Sequence, residues 1–287
     1  MAFRKIVDFV QVDVITGFIK DKLEATMVAR NVVDIRTQAQ LGYGSSYKVP
    51  GVGALTVNSY AGNAITPENA TSTNEIIAMD QYPYVSYYLE DSDVNEASAL
   101  SVAGAWANEA GVRIAQVVDK YIFTKITADA ETATGLGVTT VPIALNTDEK
   151  ILDYVELFAT TLKEANIDTD AVMVIPAFLE TSLTRSMGTL SSNQAVSGTI
   201  EAGKIGRLFG IDIYSSTNLP TGVAGGLVAG EYRLLGGKRS CFHLVEGTMI
   251  VKSGDSETRP ASWNQLGMVY GADFSNATSW YTGVVTK

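Results

Sequence analysis

The rhythm of hydrophobic and polar positions changes several times along the chain, and each change predicts a different element. Between Val12 and Arg30, Ile15, Phe18, Ile19, Leu23, Met27 and Val28 recur at steps of three and four, with Lys20, Asp21, Lys22 and Glu24 opposite them. This spacing predicts a short amphipathic helix behind a loosely structured arm. From Leu41 to Glu75 the rhythm is lost. Gly42, Gly44, Gly51, Gly53 and Gly62 punctuate short β-prone pieces, and Glu68 is the only charge between Pro50 and Glu75. Glycine, proline and β-branched residues disfavour helix here, so the stretch reads as a long two-stranded excursion turning near Gly62 to Asn69. An excursion that long and that apolar needs a surface to rest on, and the surface need not belong to its own chain.

A strongly β-prone return strand is predicted from Asn74 into Glu90, with Pro83 marking an edge position or an irregularity. Glu90-Asp91-Ser92-Asp93 then supplies the acids and serine that favour a helix start. The longest helix is expected from Val94 to about Ile126, with Leu100, Ala103, Trp106, Ala110, Ile114, Val117 and Tyr121 as its apolar stripe. Residues Ala128 to Leu145 read as a loop or an edge hairpin. Asn146 with Glu149 opens a second helix running to about Ala165. Ala171 to Ile175 is a fully apolar strand stopped by Pro176, followed by a short helix from Ala177 to Arg185. Ser186 to Ala202 is polar and loop-like, and Ile205 to Ser215 reads as one more strand. Beyond Gly230, β-prone runs alternate with turn residues at 232–235, 241–245, 248–251, 266–270 and 280–285. The whole is an α+β pattern.

Composition narrows what such a chain can do. It has 287 residues, enough for one large domain or two smaller ones, and 46% are hydrophobic. Only 18% are charged, fewer than is usual for soluble domains. Either much neutral polar surface is exposed, or surface is buried against other copies. The formal net charge is −10, and the basic residues form no stripe interleaved with aromatics, which argues against direct nucleic-acid recognition. No apolar run is long enough to span a bilayer, so no membrane partner is expected.

Candidate chemistry is sparse. Gly198 to Ile205 matches the Gly-x4-Gly-Lys core of a phosphate loop, but Ile205 stands where a Ser or Thr must bind magnesium, and no apolar strand precedes it. Asp91-Ser-Asp93-Val-Asn95 imitates the start of a calcium loop, yet Glu96 replaces the required glycine, and Val102 replaces the bidentate glutamate. His243 is the only imidazole and Cys241 the only thiol, set two residues apart in an apolar strand pattern and so expected on one face. The expected role of His243 is a half-buried structural one. No catalytic, cofactor-binding or metal-binding residues, and no cofactor, are assigned, and the chain reads as a non-enzyme.

The succession of elements resembles the major capsid protein of tailed phages, the fold of the Hong Kong 97 phage. The stretch Ile76 to Tyr82, leading through Tyr87 to Glu90-Asp-Ser-Asp93, resembles that family's E-loop return strand and spine-helix start. Ile205 to Ser215, continuing to Leu219-Pro220, resembles its axial-domain strand. The resemblance implies an α+β capsid fold with an N-terminal arm and helix at 1–41 and an E-loop at 42–75. A peripheral domain with the spine helix would cover 76–145 and 229–287, and an axial domain 146–228. It further implies pentamers and hexamers of identical subunits in an icosahedral shell, enclosing double-stranded DNA without sequence-specific binding. Scaffolding and portal proteins, and a decoration protein on some shells, are the other implied partners. The implied location is the virion capsid, assembled in the bacterial host cytoplasm. Some members cross-link through a lysine near the loop tip; residues 49 to 119 contain none, which argues against such a link here. The alternatives are an encapsulin-like nanocompartment shell and, from another structural class, a tail-tube or fibre protein.

Overall fold

The computed structural model describes residues 26–37, 41–52, 59, 72–90, 99–132, 138–144, 148–165, 167, 169–189, 203–221, 229–256, 258, 261–276 and 279–286. The helix expected from Val12 lies mostly outside them, as do the excursion's turn, most of the phosphate-loop-like stretch and the calcium-loop-like acids. Among the described residues the chain forms three sheets and four α-helices. In chain order these are α1 (Ala29–Val32), β1 (Asp34–Thr37), β2 (Ser46–Val52), β3 (Ser72–Ala78), β4 (Tyr84–Glu90), α2 (Ala99–Thr132) and β5 (Val138–Ala144). There follow α3 (Asp148–Glu164), β6 (Ala171–Pro176), α4 (Glu180–Thr189), β7 (Lys204–Leu208) and β8 (Ile211–Ser216). The chain closes with β9 (Glu231–Lys238), β10 (Phe242–Asp255), β11 (Ala261–Phe274) and β12 (Trp280–Thr286).

The largest sheet has the order β5-β12-β9-β6-β8-β7. Its centre is β6, whose six residues are all buried. A strand covered on both faces has no polar side to show, which is why Ala-Val-Met-Val-Ile-Pro reads as an uninterrupted apolar run. Its alternate residues enter different cores. Val172 and Val174 join Tyr214, Leu235 and Trp280 on the side of α2. Met173 and Ile175 join Ile213 and Leu234 on the side of α3 and α4, against Phe158, Leu162 and Leu183. Pro176 ends the strand as expected. A 3-10 turn at Ala177–Leu179 then leads into α4, which runs four residues past Arg185.

The second sheet, ordered β1-β10-β11-β4, packs one face on the same long helix. At 34 residues α2 is about 50 Å long, enough to serve both sheets at once. Its buried stripe, however, is Ala107, Ala110, Ile114, Ala115, Val118, Ile122, Phe123 and Ile126. Trp106 and Val117, placed by sequence in the apolar stripe, are each 51% exposed. Small residues occupy the seam because they let the helix approach the sheets closely, which turns the bulkier side chains outward. The helix also continues through Ala128–Thr132, residues expected to be loop, before β5 forms a parallel edge strand on β12.

Three other expectations are corrected where the backbone breaks or joins the apolar runs. Ile205 to Ser215 is a hairpin of β7 and β8, because Phe209 (φ 52°) and Gly210 (φ 91°) both adopt left-handed backbone. That pair of positive φ angles makes the tight turn whose twist suits antiparallel strands. Gly210→Ala should cost about 1 kcal/mol through the Cβ penalty in that region, read as a lowered midpoint in thermal unfolding. The return strand from Asn74 is two strands in different sheets, broken at Met79–Pro83, with Gln81 bridging to Tyr270. The runs at 241–245 and 248–251 are one strand, β10, with an irregularity between Glu246 and Met249. Where the two large sheets meet, Phe242, Phe274 and Trp280 stack edge-on with centroids 4.7 to 6.5 Å apart.

Candidate assembly surfaces

β2 and β3 form the third sheet, an antiparallel ribbon in register from Ser46–Ala78 to Val52–Ser72. Among the described residues, its contacts with the body lie at the root. Tyr47, Val49, Ile77 and Met79 pack on Val245, Val269 and Ile250, on the face of the β10–β11 sheet opposite α2. No described ribbon residue beyond Val49 and Ile77 belongs to a core cluster, and Ile76 on the reverse face is 55% exposed. A two-stranded ribbon alone is marginal in water. It needs a second surface along its length.

The seat under the root is made of glycines. A Cβ at Gly271 would stand 2.1 Å from the Ala78 carbonyl oxygen, and one at Gly247 would stand 2.5 Å from the Leu41 oxygen. At Gly267 it would meet the Tyr82 ring at 2.6 Å. The segment 78–82 can cross the sheet only because these three positions carry no side chain. Sequence reading missed them, although glycine inside a strand is itself a signal of close backbone approach.

On the same sheet face, beyond the root, the edge strand β4 presents Tyr84 (61% exposed) and Tyr88 (54%) while Val85 and Tyr87 turn toward α2. Tyr82 stacks on Tyr84 with centroids 6.1 Å apart, and Tyr87 stacks under Trp106 at 5.5 Å. Tyr84 and Tyr88 thus face outward while Tyr87 packs inward. Large aromatics left in water on an open sheet edge mark a contact surface more readily than a reactive one.

The segment entering from the N-terminal side is tied down by polar groups from distant parts of the chain. Asp119 on α2, only 1% exposed, accepts the backbone N–H of Val28 and Ala29 at 3.2 and 3.1 Å, and the Asn218 amide at 3.3 Å. Burial pushes its carboxyl up to about 6, against the opposing pull of these three hydrogen bonds. Arg30 pairs with Glu246 at 3.2 Å. His243 is 4% exposed, more deeply buried than the half-buried position expected, with its Nδ1 3.0 Å from Asp34. Cys241 does not share its face: it ends a 3-10 turn before β10 begins. The described end of the phosphate-loop-like stretch opens a strand at Lys204, not a helix, and Lys204 lies 3.8 Å from Asp212.

Among the described residues no three His, Cys, Asp or Glu side chains come together as a metal site. The cleft at the carboxyl ends of β6 and β8, about 280 Å³, is walled by Pro176, Phe178, Leu219 and Tyr232, with no charged group among its described lining residues. Among the described residues no helix is long and apolar enough to cross a membrane. What the geometry offers is contact area.

A two-layered body with a ribbon that outruns its own support, an open aromatic edge and a long helix joining two sheets is the plan of a shell subunit. The chain belongs to the phage capsid protein family, whose model matches residues 87–284, and it is a major capsid protein of the virion. Its fold is similar to that of a Mycobacterium phage Che8 structure at 19% identity and TM-score 0.60, each chain covered over 84%. The capsid of the cyanophage P-SCSP1u is similar at 14% identity and TM-score 0.62, covering 92% of this chain and 89% of that one. A virus-like particle from Pyrococcus furiosus is similar at 11% identity and TM-score 0.56, covering 93% and 97%. No curated protein matches the chain in sequence. These likenesses bear out the tailed-phage capsid resemblance and its α+β fold, and set aside the tail-tube or fibre reading.

Proposed function

We propose that this chain assembles through pentamers and hexamers into a closed icosahedral shell around double-stranded DNA. The observation that carries the reading is the β2–β3 ribbon, whose described core contacts with its own body lie at the root. A neighbouring copy is the natural support for the rest, and permanent interfaces of this kind bury upwards of ~2,000 Å². On this reading residues 1–41 are the arm, 42–75 the E-loop, 76–145 with 229–287 the peripheral domain, and 146–228 the axial domain. The net charge of −10 suits a genome driven in by a motor and not drawn in by lysine and arginine. A scaffolding protein, a portal and, on a decorated shell, an outer protein complete the assembly, which takes place in the host cytoplasm without a membrane. The chain itself performs no chemistry. The likeness to the Pyrococcus particle keeps a nanocompartment shell as the second reading, while the family match favours the virion coat.

The test is electron microscopy of the purified full chain beside a variant lacking residues 52–70. The full chain should form closed shells or their pentamers and hexamers, and the variant a soluble protein without closed particles. Normal shells from the shortened variant would remove the ribbon from the assembly role given to it here.

A further inference from the structure

We propose that residues 26–37 form a proton-coupled strap, held more tightly on the body when Asp119 is protonated than when it is ionised. The strap comprises α1 and β1, laid between α2 and β10. Asp119 lies beneath it, and among the described residues its bonds go to two backbone N–H groups of the strap and to Asn218, with no cation among them. A carboxylate sealed from water without a counter-charge is disfavoured, and neutral hydrogen bonds offset only part of that cost.

Among the described residues, the charged groups of the neighbouring elements are engaged elsewhere. Arg30 on the strap binds Glu246 of β10, and Asp34 binds His243 of β10 and Arg36. Lys204 of β7 and Arg239 both face Asp212 of β8, at 3.8 and 3.9 Å. Lys120, next on α2, is exposed, and Arg233 of β9 is buried without bonding Asp119. Protonation suits the site: the new O–H can donate to the carbonyl of a flipped Asn218 amide while the carboxyl still accepts from Val28 and Ala29. With the strap lifted, Asp119 meets water and ionises as an ordinary aspartate. Attachment therefore takes up a proton, and it weakens as pH rises through the value that burial gives this carboxyl. With 3.8 for the uncovered group and about 6 for the covered one, the attachment constant falls about tenfold between pH 5 and pH 7.5.

Hydrogen–deuterium exchange of the full chain at pH 5.0, 6.0 and 7.5, with times scaled for chemical exchange, reads this directly. Peptides covering 26–37 should lose about tenfold in protection, through openings that leave β6 protected. Asp119→Asn should flatten the dependence, and His243→Gln should leave it in place. A third variant, Asn218→Asp, sets a second carboxyl against the first and should move the midpoint upward by more than one pH unit. A flat wild-type profile, a slope that survives Asp119→Asn, a slope lost in His243→Gln, or an unmoved midpoint in Asn218→Asp would each overturn the proposal.

Discussion

Gly271→Val is expected to unseat the β2–β3 ribbon and abolish shell formation while leaving the six-stranded sheet folded. The added Cβ would stand 2.1 Å from the Ala78 carbonyl oxygen and 2.9 Å from its carbon. Both are backbone atoms of the segment that carries the ribbon into the sheet, so no side-chain rotation relieves the clash. Overpacking of a well-packed core costs about 1–3 kcal/mol, and a Cβ pressed onto backbone atoms belongs at or beyond the upper end. The segment must lift, taking Met79 out of its seat among Ile77, Val245 and Val269. The measurements are thermal unfolding, where the midpoint should fall, limited proteolysis across 41–83, which should accelerate, and particle yield by microscopy. Gly42→Ala is the control, since nothing lies within 4 Å of its Cβ position and it should behave as wild type. Wild-type particle yield from Gly271→Val would mean that the root can shift without consequence.

Asp119→Ala should be the most damaging change on the long helix. It strands the N–H groups of Val28 and Ala29 and the Asn218 amide under a covering segment, where each unmet donor costs about 1–3 kcal/mol. Part of this is relieved by water entering the vacated space, leaving a loss of about 3 kcal/mol at pH 5. The folded carboxyl titrates near 6, above its value of 3.8 in the open chain. Its contribution is thus complete below the open-chain value and drains away as pH rises through the folded one. The loss should consequently be about 1.4 kcal/mol smaller at pH 7.5 than at pH 5. Denaturant unfolding of both proteins at the two pH values checks the sign. A greater loss at pH 7.5 would show that the ionised form is the one the fold prefers.

Legibility in the sequence followed how local each signal was. β6 could be read outright, because a strand buried on both faces is apolar throughout and Pro176 stops it. The ribbon was legible in its two arms, since glycine and β-branched residues exclude helix from 46–52 and 72–78. The Phe209–Gly210 turn was not: Leu208 to Ile213 is apolar on both sides of it, and hydrophobicity carries no mark of a positive φ. The stripe on α2 was misread for a related reason. Trp106 and Val117 weigh heavily on any hydrophobic scale, whereas Ala107 and Ala115 do not, yet close packing selects the small residues. Asp119 looked like any helix-surface acid. Its neighbours one turn away, Ala115, Ile122 and Phe123, are all buried, and that surrounding was the available clue. The partners of Asp119 and His243 lie about ninety and two hundred residues distant, a separation no local pattern encodes.

The place of β12 has a consequence for synthesis. This strand sits inside the six-stranded sheet, parallel to β5 and antiparallel to β9, and Trp280 at its start fills the space over Gly237. On the ribosome, then, β5 lacks the described strand it pairs with and the aromatic junction stays incomplete until residues 280–286 have left the exit tunnel. A nascent chain lacking them cannot present a finished subunit to its neighbours, so polymerisation waits for residues 280–286, and products truncated before them are kept out of the lattice by their own unfinished interior.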